Sequence, residues 1–200
     1  MFIQELIGAI AQVLLFALIP FIVWLITARK KMNFFRWIGF TKPTHKGNII
    51  LTLVFTLVGV LAYGFLSIYF INTFSGDVTS AGSSFAGQGM SAIPATIAYG
   101  FIRTGLSEEI VFRGFILKRI ANKFGFIAGN LIQSILFGLL HGVPFGLATQ
   151  NIGVTIALTL LPAAMGFLMG YLNEKKFSNS IIPSWILHGT INTVVSIFSL

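Results

Sequence analysis

The 200-residue chain contains no cysteine and very little charge. Without a thiol it has no disulfide, no thiolate metal site and no cysteine nucleophile. Five acidic and thirteen basic residues bring charged side chains to 9% of the sequence, against about 25% in an average soluble domain. So few charges cannot cover a globule of this length, which excludes a soluble domain and, with it, a soluble nucleic-acid binder. Disorder is excluded by the opposite excess: 56% of residues are hydrophobic, 21 are phenylalanine, and the mean hydropathy is +0.90. The composition is that of an all-α, polytopic membrane helix bundle. Its net charge of +8 is the ordinary balance of such a protein and implies no nucleic-acid partner.

Six stretches are long and apolar enough for a crossing of about 20 helical residues: Leu6–Thr27, Ile49–Phe74, Ile93–Ile120, Phe126–Val143, Ile152–Leu172 and Ile181–Leu200. The first is no cleavable signal, because its basic residues (Arg29, Lys30, Lys31) follow it. Ser91 ahead of Pro94 is expected to cap the third helix, and Asn179 or Ser180 ahead of Pro183 the sixth. Pro20 and Pro162 lie within spans and are expected to kink them. Ser75–Met90, rich in Gly and Ser, reads as a solvated connector. Eleven of the thirteen basic residues fall in the 29–46 loop, the third-to-fourth connection (Lys118, Arg119, Lys123) and the fifth-to-sixth (Lys175, Lys176). The positive-inside rule makes these loops cytoplasmic and puts both termini outside. The expected organisation is a two-helix N-terminal part, residues 1–91, followed by a four-helix core, residues 92–200.

Arg103, Glu108, Glu109 and Arg113 remain inside the third span, and His141 and His188 inside two others. An Asp, Lys or Arg at a helix centre costs roughly 2.5–3.5 kcal/mol on insertion, so such groups face partners or water. Glu109 and Arg113, four apart, share a helix face and can pair, leaving Glu108 about 100° away. Phe137 and His141, and His188 and Asn192, repeat the four-residue spacing. Glu109 and His141 each lie sixteen residues from Gly125, hence at one depth in a straight hairpin turning there. Arg103, outside these pairs, is expected to snorkel or to form an ion pair. His45 in the basic loop reads as solvated. Gly138 with Gly142, and Gly166 with Gly170, have the spacing of close helix packing.

A carboxylate withdrawn from water is suited to act as a general base on a water molecule near neutral pH. An imidazole beside it can hold the proton, and a second imidazole with an amide can steady a tetrahedral oxyanion. Alternatively, two histidines and a glutamate make a catalytic zinc set, with the other glutamate as base. The zinc candidates are Glu109, His141 and His188. Pairing of Glu109 with Arg113 competes with ligation and tips the balance toward no cofactor.

Glu108-Glu109-Ile-Val-Phe-Arg113, Phe137-Gly-Leu-Leu-His141 and His188-Gly-Thr-Ile-Asn192 follow the patterns EExxxR, FxxxH and HxxxN. In this order on successive membrane helices they resemble the CPBP family, also called the Abi or CAAX protease family. That family includes type II CAAX prenyl endopeptidases and bacterial bacteriocin-processing or self-immunity proteins. The resemblance covers roughly Ile93 to Leu200. It implies that Glu108 activates water, that His141 hydrogen-bonds the same water, and that His188 and Asn192 form the oxyanion site or help bind a metal. Glu109 and Arg113 are then supporting residues. The family has been described both as metalloproteases and as metal-free glutamate proteases. The implied partners are membrane lipid and a peptide or protein substrate with a membrane-embedded or lipidated segment. If the chain is a bacterial plasma-membrane protein, the leader of a bacteriocin or pheromone fits that class. A proton-coupled transporter and a non-catalytic immunity or partner protein are the alternatives, the transporter weakened by the absence of repeated halves.

Overall fold

A computed structural model describes residues 1–74 and 84–200. All of its regular structure is helical: α1 (Phe2–Thr27), α2 (Phe34–Ile38), α3 (Ile49–Phe74), α4 (Ile93–Ile97), α5 (Ser107–Glu109), α6 (Lys118–Phe124), α7 (Phe126–Thr149), α8 (Ile152–Tyr171) and α9 (Ile182–Ile197). Wider π-helical turns, Ala98–Leu106 and Ile110–Leu117, flank α5, and a further one, Leu172–Lys176, follows α8. Among the described residues, four helical stretches meet the length and hydropathy of a membrane span: Phe2–Thr27, Ile49–Phe70, Phe126–Thr149 and Ile152–Lys176. The other two expected spans are helical as well. One carries Arg103, Glu108, Glu109 and Arg113, and the other, α9, has 16 residues.

Local chemistry sets the ends. Asn33 caps α2 by accepting from the Arg36 amide at 2.8 Å, and Gly39, at φ 82°, closes it in the left-handed region. Asn151 caps α8, accepting from Gly153 and Val154. Gly125, at φ 86°, separates α6 from α7. Two expectations are corrected. Ser91 is not a cap: it lies in a 3₁₀ turn (Met90–Ala92) and donates to the Gln88 carbonyl, while Pro94 does sit in the first turn of α4. His45 is not simply solvated: Nε2 meets Thr52 Oγ1 at 3.1 Å and the ring packs edge-on against Phe177. The fourth span runs through Pro144 to Thr149 rather than stopping at Val143. Of the Ser75–Met90 connector, residues 75–83 lie outside the described residues.

The chain forms two compact units. In the first (described residues 1–43, 84–115 and 179–200), α1 and α9 pack on the 93–115 helical run. Ala28, Trp37, Ile38, Ile110 and Ile181 make its apolar core. The run and α9 approach closely because the contact is built from glycine. A Cβ on Gly100 would lie 2.8 Å from both the Gly189 carbonyl and the Thr193 amide nitrogen, and one on Gly189 would strike the Phe101 ring. In the second unit (44–74 and 116–178), α7 and α8 form a hairpin. Gly138, Gly142 and Gly146 there sit against Thr155 and Thr159 with no room for a side chain, the close packing that the glycine spacing predicts. Asn130, Gln133 and Ser134 are buried in that hairpin and bonded to one another and to the carbonyls of Gly166 and Phe167. Lys118 pairs with Glu174 at 2.6 Å, and α3 lies against α8.

Candidate active site

The first unit gathers five of the six expected residues. Glu108 and Glu109 occupy the short α5, between two wider turns of a kind that recurs at functional sites in helices. The glycine contact with α9 brings Ser184, His188 and Asn192 opposite them, and these three are spaced by four along one face.

Glu109 is fully engaged. Arg113 Nη1 lies 3.0 Å from its Oε1, with both side chains inaccessible to solvent (0% exposed). His188 Nδ1 is 3.1 Å from the same oxygen, and the Ser184 hydroxyl donates to Oε2. The predicted Glu109–Arg113 pair is present, and it carries an imidazole that motif spacing does not foretell. With Nδ1–H donated to Glu109, a neutral His188 turns the lone pair of Nε2 outward. That atom is 3.6 Å from Glu108 Oε2, which is buried and accepts no hydrogen bond among the described residues. Glu108 retains 16% exposure of its side chain. One carboxylate is therefore an anchor and its neighbour is available for chemistry.

Asn192 Nδ2 donates to Thr104 Oγ1 at 2.8 Å, and that hydroxyl reaches back to the carbonyls of Tyr99 and Gly100. Motif reading alone leaves out Ser184 and Thr104. Each stands four residues before a motif residue (His188 and Glu108), the signal that would have found them. Arg103 forms an ion pair rather than snorkelling: Nη1 meets Glu5 Oε2 at 3.1 Å, and Gln12 bridges its backbone and side chain. His141 belongs to the second unit. There Nδ1 lies 2.8 Å from the Phe137 carbonyl and the ring packs on Phe137, at 4.5 Å between centroids. The FxxxH motif thus fixes a tautomer that leaves Nε2 as an acceptor.

Of the residues named as candidates for a zinc ion, Glu109 and His188 lie in the first unit and His141 in the second. Both oxygens of Glu109 and Nδ1 of His188 are bound within the chain. Among the described residues, no group of three or more His, Asp or Glu side chains is arranged to hold one.

A family model, Type II CAAX prenyl endopeptidase Rce1-like, matches residues 90–194, just over half of the chain and the stretch that holds every residue of the three motifs. No curated protein and no solved structure matches the chain.

Proposed function

Because the chain belongs to the Rce1-like type II CAAX prenyl endopeptidase family, we propose that it is an intramembrane endopeptidase that cuts membrane-associated or lipidated peptides with a water activated by Glu108. The observation that supports this reading is the division of labour within the acidic pair. Glu109 is saturated by Arg113, Ser184 and His188, while Glu108 Oε2 is buried, unbonded and aimed at an imidazole that Glu109 holds in place.

Water lying against Glu108 gives its proton to the carboxylate as its oxygen attacks the scissile carbonyl carbon. The carbonyl π pair becomes an oxyanion. Asn192, steadied by Thr104, and His188 are the donors for it, His188 through an Nε2 proton taken from solvent before the water attacks and kept throughout the cycle. Glu108 then returns the proton to the leaving nitrogen as the C–N bond breaks. His141 is the residue that the FxxxH motif assigns to the same water, and Nε2 is the atom it has to offer. We place the catalytic core at residues 92–200, in the plasma membrane, with the basic loops on the cytoplasmic side.

The test is hydrolysis of a quenched reporter ending in a prenylated CAAX sequence by the purified protein. Glu108→Gln, nearly isosteric, is expected to remove a factor of about 10²–10⁴ in kcat, with the thermal transition unchanged. His141→Ala is expected to lose activity as well. Full turnover by Glu108→Gln overturns the assignment.

A further inference from the structure

The second unit carries a cleft that the proposed hydrolysis does not use. It has a volume of about 500 Å³ and runs between α3 and α8, lined among others by Phe55, Val58, Ala62, Tyr63, Ala164 and Leu168. Pockets for small molecules occupy about 300–1,000 Å³. Along α8 it extends from Leu161 to Tyr171, ten residues or about 15 Å. That is half of a hydrocarbon core about 30 Å thick, hence the depth of one leaflet.

Its walls change character at one end. Phe55 and Tyr171 are shared with a second hollow of about 240 Å³, lined also by Asn48, Leu51, Thr52 and Lys176. This mouth is built rather than loose. Lys46 donates its amide to the Lys176 carbonyl at 2.8 Å, Ser178 bonds to the Thr44 carbonyl, and His45 is held between Thr52 and Phe177. Lys176 Nζ stands 5.7 Å from the centre of the Tyr171 ring, beside Gly47. Among the described residues no carboxylate forms an ion pair with Lys176, whereas Lys118, in the same unit, is matched by Glu174.

We propose that this composite cleft is a binding site for an anionic phospholipid, with the phosphate at Lys176 and Asn48 and an acyl chain laid between α3 and α8. Each feature selects part of that ligand. The apolar trough excludes a free phosphate or a nucleotide, since it would leave most of the site unfilled. The unpaired ammonium beside the Asn48 side-chain amide, whose Oδ1 accepts from Leu51 and whose Nδ2 is left to donate, selects a headgroup with negative charge, as basic pockets beside membrane helices do. The leaflet-deep length excludes a chain crossing the whole bilayer. The inference does not depend on the proposed protease activity.

Native mass spectrometry of the full chain, released from nanodiscs of phosphatidylglycerol and phosphatidylcholine mixed in equal parts, tests it. Phosphatidylglycerol is expected to be retained in excess. Lys176→Gln should lower that excess about fivefold. Ala62→Phe and Ala164→Phe, which fill the trough from exposed positions, should remove retained lipid of both kinds. Equal retention of the two lipids by the wild type, or an excess untouched by Lys176→Gln, overturns the proposal. So does displacement of the lipid by a neutral isoprenoid that binds equally well to Lys176→Gln, which would make the trough a prenyl site. Because Lys176 ends the helical turn Leu172–Lys176 with its side chain only half-buried, its variant keeps the question open to decision even if the trough variants fail to fold.

Discussion

Arg113 and Arg103 stand on the same helical run, yet burial gives them different weight. Arg113 and Glu109 are wholly enclosed, so removing either charge strands the other in a medium that cannot solvate it. Arg113→Met is expected to destabilise the protein by about 3–5 kcal/mol, the range for breaking a buried pair, read as a lowered thermal transition in detergent. Arg103 is 40% exposed, and its ion pair with Glu5 is screened, so Arg103→Gln should shift stability by no more than about 1 kcal/mol. Equal losses in the two variants would contradict this ranking. The pairing of Glu109 with Arg113 was legible from spacing, because four residues along a helix make neighbours. The capture of His188 by Glu109 was not, since it depends on how far α9 is turned about its own axis.

At the scale of elements, glycine decides where helices meet. Gly138 and Gly142 are visible in the sequence because their four-residue spacing is that of an α-helical face. Gly100 and Gly105, five apart, are missed by such a search. In the π-helical Ala98–Leu106 segment the hydrogen bonds run from i to i+5, so residues five apart come to share a face. Both approach Gly189 of α9. Gly100→Ala would drive a methyl group into backbone atoms 2.8 Å away and displace α9. A shift of about 1 Å at His188 is enough for a 10²-fold loss in kcat. The expected outcome is therefore reporter hydrolysis reduced about 10²-fold with substrate binding retained. Gly64→Ala, whose Cβ would meet nothing within 4 Å, should be silent.

For the molecule as a whole, lipid makes the helical class readable, because an unpaired backbone in hydrocarbon is costly and only long apolar helices or closed barrels cross it. The assembly into two units was not readable. The first is drawn from three separated stretches of chain, and which helix sits beside which depends on interlocking surfaces rather than on hydropathy. Orientation can be tested directly, since the chain has no cysteine and each one introduced reports alone. Cysteines replacing Lys30, Lys123 and Lys175 are expected to be shielded in intact cells from a membrane-impermeant maleimide, whereas those replacing Gln88 and Gln150 should react. Labelling of the first set would reverse the assignment.

The winding around α5 has a consequence for the backbone itself. Where Thr104 reaches with its hydroxyl to carbonyls four and five residues earlier, a side chain takes part in a ladder that amides complete elsewhere. Such a ladder opens more readily than the regular α7–α8 hairpin. Deuterium should therefore enter the peptide groups of residues 98–117 ahead of those of α7, so that the stretch bearing the two glutamates is among the first in the core to breathe.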